Sequence, residues 1–166
     1  MAYNILGIHP GHNSSAALIS DGELVYFLEE ERLSRWKRDG SPFRVMVEIC
    51  SKYKIDELVI GGTCDQLESN ILPWTFESPY TAIVRKYNPN VKVTWLHHEH
   101  HLLHASCTFY NSGFNKASIL VIDGAGSLQT YNINKQQQIQ GWEAESIWVA
   151  KYPGEFNSIY KTYGKN

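Results

Sequence analysis

The sequence predicts an α/β domain, a mixed sheet with flanking helices, and three observations carry that reading. Asp21-Gly22 sits between two apolar runs, a β-hairpin signal. Short apolar runs then alternate with segments of helical periodicity, the pattern of strand–helix–strand crossings. Leu58-Val59-Ile60 closes on Gly61-Gly62, as a short strand buried on both faces does.

Each element follows in order. Asn4–Ile8 is a first strand, punctuated by Gly7, Pro10 and Gly11, and Ser14–Ile19 and Leu24–Leu28 form the hairpin. Ser41 stands as an N-cap before Pro42 at the first turn of a helix running to Tyr53. Leu58–Ile60 is the next strand. Thr63–Ser78, rich in Pro, Trp and Asn, reads as an irregular surface loop or lid. Pro79–Tyr87 is a second helix and Val91–Leu96 a strand. Glu99–Tyr110 is a third helix, with Leu102, Leu103, Cys107, Phe109 and Tyr110 on and near its apolar face. Ser118–Ile122 is a strand. Leu128–Asn134 and Gln138–Ala150 read as an antiparallel pair joined through Asn134-Lys135-Gln136-Gln137, and Asn157–Tyr163 as the start of a last helix.

Composition narrows the function classes. A chain of 166 residues fits one domain and buries roughly two-thirds of its unfolded surface. With 43% hydrophobic and 19% charged residues it falls among folded globular chains. A formal net charge of -2 argues against a nucleic-acid partner, which needs a basic footprint. No run of about 18 apolar residues marks a membrane span, and the N-terminus lacks a signal-type core. Cys50, Cys64 and Cys107 are odd in number and fit neither a zinc knuckle nor a disulfide framework, which points to a reducing cytoplasm.

Four segments carry chemistry. Five of the seven histidines lie in His97–His104. Residues i and i+4 of a helix share a face about 5–6 Å apart at Cβ, so two imidazoles so spaced converge on one metal at roughly 2.1 Å from each nitrogen. Two pairs satisfy this, His97 with His101 and His100 with His104; the second lies wholly inside the helix. A solvated histidine run is the plainer alternative. Asp123 follows the apolar run Ile119–Ile122 and precedes Gly124-Ala125-Gly126, where α/β sheets place ligands. Gly124 and Gly126 let a phosphate or nucleotide approach the backbone; an ordinary turn is the rival. In Gly7–Ala17 a strand turns into His12 and small hydroxyl residues. Backbone N–H groups and hydroxyls there suit an anion, and His12 can donate to it or move a proton, against the alternative of a hairpin turn with a surface histidine. In Glu29–Asp39, Arg32 and Arg35 suit an anionic substrate as well as a charge-paired turn.

Taken together, these segments resemble the carbamoyltransferase family that includes the nodulation carbamoyltransferases and the antibiotic O-carbamoyltransferases. The family's opening strand, Gly-Ile and His-Asp-Ser-Ala-Ala-like turn appear as Gly7-Ile8 and His12-Asn13-Ser14-Ser15-Ala16-Ala17. Its Asp-Gly hairpin and Glu-Glu-Arg-led run appear as Asp21-Gly22 and Glu30–Asp39, its His-His-x-x-His-Ala as His100–Ala105, and its Asp-Gly-x-Gly as Asp123–Gly126. Asn157–Gly164 looks like its Ser-x-Gly-x-Leu-Tyr segment. Asn13 replaces the family's Asp, and Arg38 stands where the family often has His.

The resemblance implies one lobe of an actin-like, ribonuclease-H-like ATPase fold, similar to the tRNA threonylcarbamoyl-transfer proteins. Residues 1–166 would form the N-terminal lobe, without the second lobe and without the domain that makes carbamoyl adenylate from carbamoyl phosphate and ATP. His100, His104 and Asp123 take the role of metal ligands. Imidazole and carboxylate suit both Fe(II) and Zn(II); the family favours Fe(II). His12 is the candidate for contact with the carbamoyl group or acceptor, and Arg32 and Arg35 for anion contacts. The implied reaction moves a carbamoyl group from carbamoyl adenylate to a hydroxyl of a small-molecule acceptor, with a partner polypeptide supplying the missing parts. A non-catalytic remnant retaining metal or nucleotide binding is the alternative, and a metal-binding module unrelated to carbamoyl transfer is a third.

Overall fold

The computed structural model describes residues 2–62, 78–96, 98–134 and 137–164. His97, Cys64 and the expected loop up to residue 77 lie outside the described residues, as do Lys135 and Gln136 of the expected connection between the antiparallel strands. The chain divides into two compact units, Met1–His97 and His98–Asn166.

The first unit is a five-stranded mixed sheet in the order β3-β2-β1-β4-β5, where β1 is Asn4–His9, β2 Ser15–Ser20, β3 Glu23–Glu29, β4 Glu57–Ile60 and β5 Lys92–Trp95. β1, β2 and β3 pair antiparallel; β4 lies parallel to β1, and β5 parallel to β4. The hairpin turns on Asp21 and Gly22, both at positive φ (49° and 90°), as a two-residue turn matched to strand twist requires. Alternate residues of the strands face one way: Leu6 and Ile8, Ala16 and Leu18, Leu58 and Ile60 are all buried. Helix α2 (Phe43–Lys52) covers them with Val45, Met46, Ile49 and Cys50, and α3 (Pro79–Tyr87) with Tyr80 and Val84. Helix α3 lies between the parallel neighbours β4 and β5, whereas α2 follows β3 at the sheet edge and leads into β4 beside β1.

A short helix not expected from the sequence, α1 (Glu30–Ser34), precedes α2. It explains how α2 begins. Pro42, not Ser41, is the N-cap, and it has no capping side chain. Instead the buried Glu30 carboxylate accepts the Arg44 and Val45 backbone N–H groups (3.1 and 3.0 Å), a cap supplied from outside the helix. Ser78 does cap α3, its hydroxyl accepting the Thr81 N–H at 3.2 Å.

The second unit packs helix α4 (His100–Ser112) on an antiparallel sheet. Its spine is β8 (Gln137–Lys151), which pairs with β6 (Lys116–Ile122) along one stretch and with β7 (Leu128–Asn134) along the next. The remaining strand, β9 (Glu155–Gly164), also runs antiparallel to β8, from Lys151↔Glu155 to Trp142↔Gly164. Asn157–Tyr163 is therefore strand and not the expected helix. Phe156, Ile159, Tyr160, Thr162 and Tyr163 favour a pleated surface, and the backbone of β8 gives them a ladder. On α4 the buried stripe is His101, Ala105 and Phe109, at i, i+4 and i+8. Ala105 and Phe109 pack on Ile119, Val121, Trp148 and Ala150. Cys107 and Tyr110, expected near the apolar face, are exposed because that stripe turns them outward.

Candidate metal centre

The first turns of α4 and the end of β6 build the site. His100 and His104 lie one helical turn apart on the flank of the helix, beside its buried stripe. Asp123 is the first residue after β6, held there by its N–H donating to the Ala144 carbonyl (2.9 Å). The three side chains converge. His100 Nε2 is 2.7 Å from Asp123 Oδ2, His104 Nε2 is 3.0 Å from His100 Nε2, and His104 Nε2 is 3.6 Å from Asp123 Oδ2. The two rings meet edge to face with centroids 4.5 Å apart. His100 is mostly covered and His104 is half open to solvent (13% and 54% side-chain exposure), so the site is reached from the His104 side.

The triangle has few protons for its short contacts. One ring nitrogen carries at most one proton. If His100 Nε2 donates to Asp123, it has no lone pair left for His104. If it accepts from His104, its lone pair faces the carboxylate. Two separate two-centre hydrogen bonds cannot form at His100 Nε2, so at best one shared proton serves both short contacts, whereas a cation takes a lone pair from all three atoms. Ligands about 2.1 Å from one metal lie about 3.0 Å apart in octahedral and about 3.4 Å apart in tetrahedral geometry; the three edges here bracket both. The donor set therefore fits a divalent cation of the Fe(II) or Zn(II) kind. Burial pushes the Asp123 carboxyl up, but the His100 imidazole and the Gly124 N–H on its other oxygen (2.6 Å) outweigh it and hold the group below its ordinary value.

The other sequence candidates are placed as follows. Gly124 is exposed, and a Cβ built there meets nothing within 4 Å. Gly126 is buried: a Cβ there would lie 2.8 Å from Glu143 Cβ and 2.8 Å from His101 Cδ2. Its missing side chain thus has a packing cause. His12, Arg32 and Arg35 belong to the first unit and are exposed. His12 Nδ1 is 3.3 Å from Asn13 Oδ1, and Asn13 is left-handed (φ 61°). The N–H groups of Gly11 and Ser14, expected to be available to an anion, donate to the Gly40 and Asp39 carbonyls (2.9 and 3.0 Å). Arg32 pairs with Glu29 at 3.2 Å and lies 3.8 Å from Glu31. Arg35 is the left-handed C-cap of α1.

Sequence reasoning missed a buried polar layer beneath the triangle. His101 is fully buried, its Nδ1 2.8 Å from Ser146 Oγ, which also accepts the Trp148 indole N–H (2.7 Å). Burial lowers the His101 pKa, against the opposing charge of Glu143. Its Nε2 has no hydrogen-bond partner among the described residues. The expected alternative pair, His97 with His101, therefore loses one member to the core, and the other lies outside the described residues. Beside it Glu143, 1% exposed, accepts from Lys161 Nζ at 2.6 Å. The strand carries two glutamates, Glu143 and Glu145, and its sequence alone does not tell which of them is buried.

Comparison with known proteins adds three relatives. The chain is 31% identical over 126 residues to an uncharacterised protein of Methanocaldococcus jannaschii, covering 74% of this chain and 22% of that protein. It is 26% identical over 194 aligned positions to an uncharacterised protein of Synechocystis sp., covering 96% and 31%. It is 30% identical over 136 residues to the nodulation protein NolNO of Sinorhizobium fredii, covering 69% and 20%. The chain thus spans less than a third of the length of each of these curated relatives. No protein-family model matches it.

Proposed function

We propose that this chain carries the metal centre of an O-carbamoyltransferase built on an actin-like lobe. The observation that carries the reading is the convergence of His100 Nε2, His104 Nε2 and Asp123 Oδ2, each within 3.6 Å of the others, in a donor set suited to a divalent cation. Similarity to a nodulation protein, together with the ordered family-like segments from Gly7 to Gly126, supports the carbamoyl assignment.

In the proposed reaction an acceptor hydroxyl oxygen bonds to the carbamoyl carbon, the carbon–oxygen bond to the adenylate phosphate breaks, AMP leaves, and the hydroxyl proton passes to a base. His100, His104 and Asp123 would hold Fe(II), in preference to Zn(II), which when bound supplies Lewis-acid polarisation of the carbamoyl oxygen or orientation of the phosphate. We assign His12 contact with the carbamoyl group or the acceptor, as a donor or proton carrier. Arg32 and Arg35 neutralise anionic groups. Gly124, open on all sides, leaves its backbone accessible to a phosphate, while Gly126 shapes the loop. A second lobe and a carbamoyl-adenylate-forming domain, on further polypeptide, complete the activity.

Metal analysis of anaerobically purified chain tests the centre: about one equivalent of divalent metal is expected, lost in His100→Ala and His104→Ala. Retention of metal by both variants refutes the ligand assignment. With carbamoyl phosphate and ATP, the chain alone is expected to show no transfer; turnover by it alone refutes the need for further polypeptide.

A further inference from the structure

We propose that Glu143 is a positioning residue for the His100–His104–Asp123 centre, acting with Lys161 through Ser127; the inference rests on the metal reading above. The loop from Asp123 to Ser127 delivers one ligand, and the first residue of α4 delivers another. The loop is tied to two residues of β8, and the helix start is tied to the loop. Asp123 N–H donates to the Ala144 carbonyl (2.9 Å) and Gly126 N–H to the Glu143 carbonyl (2.8 Å), while Glu143 N–H donates to the Ser127 carbonyl (3.0 Å). The Glu143 carboxylate adds a side-chain link, with Oε2 accepting the Ser127 N–H at 3.3 Å and Oε1 accepting from Lys161 Nζ at 2.6 Å. Ser127 Oγ in turn accepts the His100 N–H at 3.2 Å. One buried acid therefore fixes the residue that fixes the start of the ligand helix.

Stability alone is a poor reason for this pair. Glu143 and Ser127 are fully covered, and Lys161 is 21% exposed, its ammonium 5.1 Å from the Trp148 ring centre. A buried ion pair is commonly no more stabilising than apolar packing of the same volume. Its recognised use is to specify one arrangement among several, and here the arrangement specified is that of Asp123 against His100. Groups that orient ligands without touching the metal typically change affinity about 10–100-fold when removed.

The test is anaerobic Co(II) titration of the full chain, followed by visible absorption, for wild type, Glu143→Gln and Ser127→Ala, with far-UV circular dichroism as the folding check. Both variants are expected to keep the wild-type dichroism, to bind Co(II) about 10–100-fold more weakly, and to show altered ligand-field bands at saturation. That last change is one a merely structural role does not produce. Wild-type affinity and bands in both variants overturn the positioning role and leave the metal reading standing. A wild-type chain that binds no Co(II) overturns both. Should Glu143→Gln fail to fold, Ser127→Ala, which keeps the Glu143–Lys161 ion pair and removes the acceptor of the His100 N–H, decides alone.

Discussion

Replacing Gly126 with Ala separates packing from ligand binding in the loop after β6. The added methyl lies 2.8 Å from Glu143 Cβ and 2.8 and 2.9 Å from His101 Cδ2 and Nε2. Neither neighbour yields cheaply. Glu143 Cβ moves only with the backbone of β8, and the His101 ring is fully buried and bonded to Ser146 Oγ. Overpacking of this kind costs about 1–3 kcal/mol, and two immovable contacts place the expected loss near 2–3 kcal/mol. At a urea slope of about 2 kcal/mol per molar, the unfolding midpoint falls by about 1 M. Gly124→Ala is the control: a methyl there meets nothing, so the midpoint shifts by less than about 0.3 M. Both measurements are made without nucleotide or metal. Equal midpoints for the two variants refute the packing account of Gly126 and return it to the role of a backbone opened for a phosphate.

Three further outcomes follow from the fold. Glu30→Ala removes the acceptor of the Arg44 and Val45 N–H groups at the buried start of α2, a loss of about 2–3 kcal/mol that thermal melts read as a fall of about 5–10 °C; an unchanged melt contradicts the capping role. Thr94, Lys92 and Tyr3 hold the Glu57 carboxyl below its ordinary value, and the Asn4 N–H and Lys54 do the same for Asp56. Depressed carboxyls stabilise the fold above the unfolded-state pKa, and that contribution is lost as pH falls through the folded value. The urea midpoint is therefore expected to be level from pH 7 to about 5 and to drop below about 4, less steeply in Glu57→Gln; parallel curves for variant and wild type contradict this. Burial pushes the Cys50 thiol up to about 11, so under native conditions peptide mapping after alkylation finds Cys107 labelled and Cys50 protected.

Much of the first unit was legible in the chain because its signals are local. Asp21-Gly22 is a turn by its own backbone preferences, α3 starts at the expected Pro79, and the apolar periods of α2 and the strands change over within a few residues. The i, i+4 spacing of His100 and His104 was equally legible, and so was Asp123 at a strand end. What local pattern cannot convey is direction. His101 and His100 are neighbours in sequence, yet one faces the sheet and the other Asp123, because the buried stripe of α4 is set by Ala105 and Phe109 against Trp148 and Val121. The same packing turns Cys107 and Tyr110 outward. Asn157–Tyr163 has no decisive period of its own, and only the open edge of β8 makes it strand.

Apart from α1 and the last strand, sequence alone settled the alternation of strands and helices, the hairpin, and which imidazoles share a helical face, since those depend on spacings of four residues or fewer. Tertiary structure decided that Glu30 caps a helix it does not belong to, that Gly126 is bare to admit His101, and that a Glu143–Lys161 pair lies under the histidines. Each of those pairs residues 14 to 25 positions apart, and contacts across such distances are chosen by how the strands pair and the helices pack.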